Sequence, residues 1–205
     1  MTALGLLLCS VACVFLLHIV RSDLGPIAHR LSEYANGPHG YLMTAAFVAL
    51  GLGMVALGLA LLSTSDTSAW RWLVPISVVA AGLGMVVSGI FRTDPLGTNT
   101  AAESIHSRAS AFGSAALIGS AFAWSVVRQR RPPWRGRDGG AVLATLAVAI
   151  GGLSPVLHES RWTGLSQRVL WATLLSWLLL TSWRLTQPRA VVATDGRRNA
   201  VTARS

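Results

Sequence analysis

A short polar stretch, FRTDPLGTNTAAESIHSR, interrupts an otherwise apolar chain between residues 91 and 108. It contains Asp94, Glu103 and His106, and carboxylates and imidazoles are the side chains that most often bind metal ions or transfer protons. Glu103 and His106 are three residues apart, so on a helix they lie on one face. These three residues are therefore the first candidates for chemistry in this sequence, and they are the catalytic candidates if the protein is an enzyme.

A metal site is one interpretation. Neutral imidazoles and carboxylates from separate loops can converge on one divalent ion such as zinc. The histidine candidates are His106, His158 and His39, with His29 as an alternative to His39. The ion would activate water, with a carboxylate as general base, to attack an ester or amide bond at the outer leaflet. This interpretation describes a membrane-embedded metal-dependent hydrolase, although the HExxH spacing of many zinc proteases is absent.

Two non-enzymatic interpretations compete with the metal site. In the first, the polar residues cap the helices and a carboxylate pairs with Arg92, Arg108 or Arg168 to hold helix ends together. In the second, they form a pocket for a lipid or another small ligand, or part of a transport path. Both use one polar cluster, which comprises Asp94, Glu103, His106, His158 and Arg168. Ion-coupled transport is disfavoured, because the middles of the apolar spans carry no charge. We expect a non-enzymatic protein.

The rest of the chain indicates which solvent surrounds these side chains. Of 205 residues, 52% are hydrophobic and 12% are charged, which is too apolar for an ordinary water-soluble domain. Spans near the roughly 20 residues that cross a bilayer are predicted at 3–20, 40–62, 73–91, 105–127, 141–157 and 169–185. The sequence therefore predicts an all-α polytopic membrane bundle of six transmembrane helices within residues 1–187. A disordered basic tail is predicted over residues 188–205.

Arginine alone sets the predicted orientation, because the sequence contains no lysine. Eleven of the 17 arginines fall on the side that holds both termini, and these are Arg71, Arg128, Arg130, Arg131, Arg135, Arg137, Arg184, Arg189, Arg197, Arg198 and Arg204. The positive-inside rule then places both termini in the cytoplasm. All five histidines fall on the opposite, outer side: His18, His29, His39, His106 and His158.

Charge also predicts the partners. The net charge of +9 is interpreted as contact between the cytoplasmic arginines and anionic lipid rather than nucleic acid. The absence of lysine excludes a P-loop nucleotide site and Schiff-base chemistry. The lipid bilayer is thus the expected partner, with a small-molecule or lipid ligand at the outer cluster as a further candidate. A divalent metal such as zinc is the one cofactor considered.

Local patterns predict how the polar stretch joins the third and fourth helices. The Asp94-Pro95 pair predicts the end of the third helix, and Thr100 with Glu103 predicts a capping box that starts the fourth. Small residues at four-residue spacing predict close helix packing. They occur in the second, third and fourth spans, as Ala45, Ala49 and Gly53, as Ala80, Gly84 and Ser88, and as Ala115, Gly119 and Ala123.

Four stretches carry a resemblance to a known family. They are FRTDPLG, ESIHSRASAFGS, ISVVAAGLGMVVSGIF and GLSQRVLWATLLSWLLL. Together they resemble the domain of unknown function 998 family of bacterial and archaeal multi-pass membrane proteins, from the first span to about Arg184. The resemblance implies a six-helix bundle in the plasma membrane of a bacterium and marks Asp94 and His106 as positions that match the family motif. Because the family has no established activity, the resemblance favours none of the three interpretations.

Overall fold

A computed structural model of the protein describes residues 2–63, 70–95, 100–129, 139–157 and 160–187. These ranges contain six α-helices and a short 3-10 helix, Leu31–Ala35, but no strand. The α-helices are α1 Thr2–Val20, α2 Gly40–Leu62, α3 Trp70–Ile90, α4 Ala101–Gln129, α5 Gly139–Leu157 and α6 Thr163–Thr186. The predicted all-α class is confirmed. The predicted tail at 188–205 and His158 lie outside the described residues.

Four of these helices are long and apolar enough to cross a membrane, namely Thr2–Val20, Gly40–Leu62, Trp72–Ile90 and Thr163–Thr186. The apolar part of α5 is shorter, at Gly140–Gly151. The 29-residue α4 is long enough, but it carries Glu103, His106 and Arg108 near its start and is rich in serine and alanine. The helical model therefore agrees with a membrane protein, whereas the number of spans stays a prediction.

Consecutive helices pack side by side, and α6 returns to contact α1, α2 and α4. The core between them is apolar and includes Leu7, Met54, Met85, Leu117 and Trp177, each at most 1% exposed. Contacts such as Gly89 with Thr44 and Gly58 with Pro75 show that α2 and α3 run antiparallel. We call the end where α1, α3 and α5 finish and α2, α4 and α6 begin the polar end.

Glycines allow α2 and α3 to approach most closely. A Cβ on Gly51 would lie 2.5 Å from the carbonyl oxygen of Gly82, and a Cβ on Gly82 would lie 2.6 Å from that of Gly51. These two glycines begin the two copies of the string GLGMV, at residues 51–55 and 82–86. The first glycines of the two copies therefore face each other, whereas Gly53 packs against α1 and Gly84 against α4.

The predicted packing stripe on α4 is wrong at two of its three residues, whereas the third, Ala123, packs against the core. Ala115 and Gly119 are exposed, and a Cβ on Gly119 would meet no heavy atom within 4 Å. The close approach to α3 is made instead by Gly113, where a Cβ would lie 3.0 Å from the carbonyl oxygen of Ala81. Four-residue spacing of small side chains therefore identified a helix face, but not whether that face meets a neighbour.

The segment between α1 and α2, residues 21–39, is ordered by a buried arginine. Arg21 is 7% exposed and binds both carboxylate oxygens of Asp23 at 2.8 Å. It also donates to the carbonyl oxygens of Asn36 at 2.6 Å and Pro38 at 3.3 Å. Gly37 packs beside the guanidinium with a φ of 86°, a conformation that glycine adopts without strain. Arg21 thus ties both ends of the segment together and sets the position of the 3-10 helix.

Candidate functional site

Glu103 joins the end of α3 to the start of α4. Its Oε2 accepts hydrogen bonds from the Thr93 hydroxyl at 2.6 Å and the Asp94 backbone N–H at 2.7 Å. Its Oε1 accepts from the Ser107 hydroxyl at 2.8 Å. We call this group, together with Ser88, Thr100, His106 and Ser110, the α3–α4 clasp. Both carboxylate oxygens of Glu103 are therefore occupied by donors of the protein itself.

The start of α4 departs from the predicted capping box in one respect. Thr100 Oγ1 accepts from the Glu103 N–H at 3.3 Å, as a capping box requires. The reciprocal bond is made by a different residue, because Asp94 Oδ2 accepts from the Thr100 N–H at 2.8 Å while Glu103 turns toward Thr93. The Asp94 carboxylate therefore acts as a cap for α4 from the end of α3.

His106 lies one helical turn after Glu103 on α4 and is 5% exposed. Its Nδ1 is 2.8 Å from the Ser88 carbonyl oxygen and 2.9 Å from that of Phe91. Carbonyl oxygens only accept hydrogen bonds, so Nδ1 carries the proton and donates to the last turn of α3. Phe47 of α2 packs edge-on against the ring at 5.5 Å between centroids. One turn further along α4, the Ser110 hydroxyl donates to Ser88 Oγ at 2.9 Å.

Glu103 is held as a carboxylate. Burial raises the pKa of Glu103, but hydrogen bonds from Thr93, the Asp94 N–H and Ser107, with the nearby His106, together lower it below the usual value for a glutamate. None of the arginines that the structure describes takes part in this group. The ion pairs found in the described ranges are Arg21 with Asp23 and Arg30 with Glu33.

The expected pairing of a clasp carboxylate with Arg92, Arg108 or Arg168 is thus not what the described residues show. Arg92 and Arg108 are exposed. The reason is that hydroxyl and backbone donors within ten residues already bind both oxygens of Glu103, and these donors need no long side chain to be ordered.

Arg168 of α6 belongs to a second network, which we call the Arg168 hub. Its guanidinium donates to His18 Nε2 at 3.1 Å and to the Tyr34 hydroxyl at 3.2 Å. It also reaches three backbone carbonyl oxygens, those of Pro26 at 2.7 Å, His29 at 2.6 Å and Gly164 at 3.0 Å. The hub therefore connects α6 to α1 and to residues 24–34. It does not include Asp94, Glu103 or His106.

Further hydrogen bonds hold the same segment against α6. The Leu31 N–H donates to Gln167 Oε1 at 2.7 Å, and the Leu165 N–H donates to the Ile27 carbonyl at 3.0 Å. A Cβ on Gly164 would collide with the carbonyl oxygens of His29, Ile27 and Pro26, so only glycine fits there. Sequence reasoning missed His18, Tyr34 and Gln167. The available signal was an arginine directly before an apolar span, four residues after a glycine.

The proposed metal ligands that the structure describes do not form a three-ligand group. His39 is exposed, begins α2 with a φ of 62° and packs against Tyr41. His29 Nδ1 is 3.2 Å from the Gly25 carbonyl within its own turn. His158 lies outside the described residues. Within those that the structure describes, no group of three His, Cys, Asp or Glu side chains could hold a metal ion.

Helices with the length and composition of membrane spans, joined by buried polar groups at one end, define a helical integral membrane protein. The profile of one family, described as "Protein of unknown function (DUF998)", matches residues 3–184. The chain therefore belongs to this family, as the sequence resemblance predicted. No curated protein and no solved structure shows a significant match.

Proposed function

We propose that this chain is a non-enzymatic, multi-pass protein of the bacterial plasma membrane, with six spans, both termini in the cytoplasm and the polar end outside. The apolar helices and the family support the membrane location. The excess of arginine in the segments on the side of the termini supports the orientation. The cytoplasmic arginines then contact anionic lipid.

In this proposal the α3–α4 clasp fixes the outer ends of two helices. One observation carries it: Oε2 of Glu103 and the Nδ1 proton of His106 are used in bonds between the end of α3 and α4, while Oε1 of Glu103 accepts from Ser107 within α4. A general base or a metal ligand needs a lone pair that faces a substrate or an ion. The Glu103 carboxylate, which already accepts three hydrogen bonds from the protein, fits a role in holding helices better than a role in catalysis.

Elemental analysis of the purified, detergent-solubilised protein tests this proposal, with Asp94→Ala and His106→Ala beside it. We expect no stoichiometric divalent metal in the wild type and a lower unfolding temperature in both variants, because each loses hydrogen bonds across the helix ends. Ser104→Ala is the matched control, since Ser104 is an exposed neighbour on α4. Stoichiometric zinc or iron that disappears in both variants would instead support the metal-dependent hydrolase.

A further inference from the structure

His18 has partners that fix where its proton lies. Nδ1 is 2.7 Å from the Val14 carbonyl oxygen, one turn earlier on α1, and Nε2 is 3.1 Å from Arg168 Nε. A carbonyl can only accept a hydrogen bond, and a guanidinium can only donate one. The ring must therefore be neutral, with its proton on Nδ1 and its lone pair on Nε2 directed at Arg168.

We propose that His18 and Arg168 form a pH-sensitive latch that holds α1 and residues 24–31 to α6 and opens when His18 gains a proton. A proton on Nε2 removes the acceptor for Arg168 Nε and places two cationic groups about 3 Å apart in a partly buried site. Histidine is the side chain whose charge normally changes between about pH 5 and 8. The proposal concerns the Arg168 hub and does not depend on the role of the α3–α4 clasp.

Among the residues that the structure describes, no carboxylate forms an ion pair with His18. The Tyr34 ring lies 5.2 Å away, centroid to centroid, and its hydroxyl is committed to the Leu24 carbonyl at 2.9 Å. The nearby acids are engaged elsewhere, Asp23 with Arg21 and Glu33 with Arg30. On α6 the facing group is the cation Arg168, whose guanidinium also lies over the Tyr34 ring. The titratable side chain of α2 is Tyr41, which is exposed beside His39.

The latch can act locally because Arg168 also holds residues 24–31. The same guanidinium that binds His18 donates to the carbonyls of Pro26 and His29. When Arg168 turns away from a protonated His18, these bonds are disturbed together, and the segment is left with the contacts from Leu165 and Gln167. His106 provides an internal contrast. Its Nδ1 meets two carbonyls and Glu103 is close by, so a second proton on that ring breaks neither Nδ1 bond.

Amide hydrogen exchange on the full-length wild type tests the latch without a substitution. Between pH 8 and pH 5, after correction for the intrinsic exchange rate, we expect exchange in residues 24–31 to rise severalfold, because the Arg168 bonds to Pro26 and His29 are disturbed together. Peptides covering residues 93–106 should change much less. Equal changes in both regions, or no change in residues 24–31, would overturn the proposal.

Two variants identify the histidine that is responsible. In His18→Gln the amide oxygen can accept from Arg168 but cannot gain a proton in this range, so the pH dependence of exchange in residues 24–31 should be lost. His39→Asn is the matched control, because it removes an exposed histidine at the same end and asparagine tolerates a positive φ. It should retain the wild-type pH dependence. If the pH dependence persists in His18→Gln or disappears in His39→Asn, His18 is not the switch.

Discussion

Glu103 and His18 show that the same residue types serve different purposes according to their partners. The Glu103 carboxylate accepts three hydrogen bonds from donors in α4 and at the end of α3, and within the described ranges no ion pair includes it. The His18 imidazole accepts from a guanidinium and donates to a carbonyl. The sequence could indicate that Asp94, Glu103 and His106 were significant, but not which lone pairs were free. That property depends on donors that only the fold brings into place.

At the residue scale, the clasp carboxylate has a defined pH dependence. The pKa of Glu103 in the folded protein is lowered, so its bonds contribute stability above the ordinary glutamate pKa of about 4.3 and lose it as the pH falls through the folded value. We therefore expect the wild type to lose more stability on acidification than Glu103→Gln, which has no carboxylate to protonate. Thermal unfolding in detergent from pH 6 down to pH 3.5 measures this. Parallel curves for the two proteins would contradict it.

At the scale of helices, two matched glycine substitutions separate packing from helix propensity. Gly82→Ala adds a Cβ that would lie 2.6 Å from the Gly51 carbonyl oxygen, so we expect destabilisation of about 1–3 kcal/mol from overpacking. Gly119→Ala adds the same atom in open space and should be neutral or stabilising by up to about 1 kcal/mol, through helix propensity. Unfolding free energies in mixed micelles provide the comparison. Equal effects of the two substitutions would show that α2 and α3 do not pack at this distance.

The sequence predicted the helices better than their faces. The predicted hydrophobic spans gave the start of α2 and the end of α3 to within about one residue. The composition changes sharply from apolar to polar residues at these two points. Two of the three residues in the packing stripe of α4 were placed on the wrong side, since Ala115 and Gly119 are exposed. In a helix whose exposed and buried sides are both rich in small residues, spacing alone cannot distinguish the two sides. Only contact with a specific neighbour does.

For the whole molecule, membrane character could be predicted from composition, but the separation of its polar residues into two networks could not. Arg168 and Glu103 were placed in one cluster because both lie at the polar end. The structure puts them in separate networks, one between α1, α6 and residues 24–34, and the other between α3 and α4. Linear sequence places residues along a bundle axis through span boundaries, but it does not give their position around that axis.

Fusions to the C-terminus test the proposed orientation of the molecule in the membrane. The proposed topology places the C-terminus in the cytoplasm, where green fluorescent protein folds and bacterial alkaline phosphatase stays inactive. A C-terminal fusion to the fluorescent protein should therefore be fluorescent, and the matching fusion to the phosphatase should be inactive. The reverse pair of results would overturn the proposed orientation and would put the clasp on the cytoplasmic side.

The central claim is that Glu103 holds the ends of α3 and α4 through Thr93, and a double-mutant cycle tests it most directly. Thr93→Val and Glu103→Gln are made singly and together, and the free energy of unfolding is measured in mixed micelles. We predict a coupling energy of about 0.5–3 kcal/mol, because the two side chains share a 2.6 Å hydrogen bond at a residue that is 2% exposed. Effects that add to within about 0.3 kcal/mol would contradict the clasp.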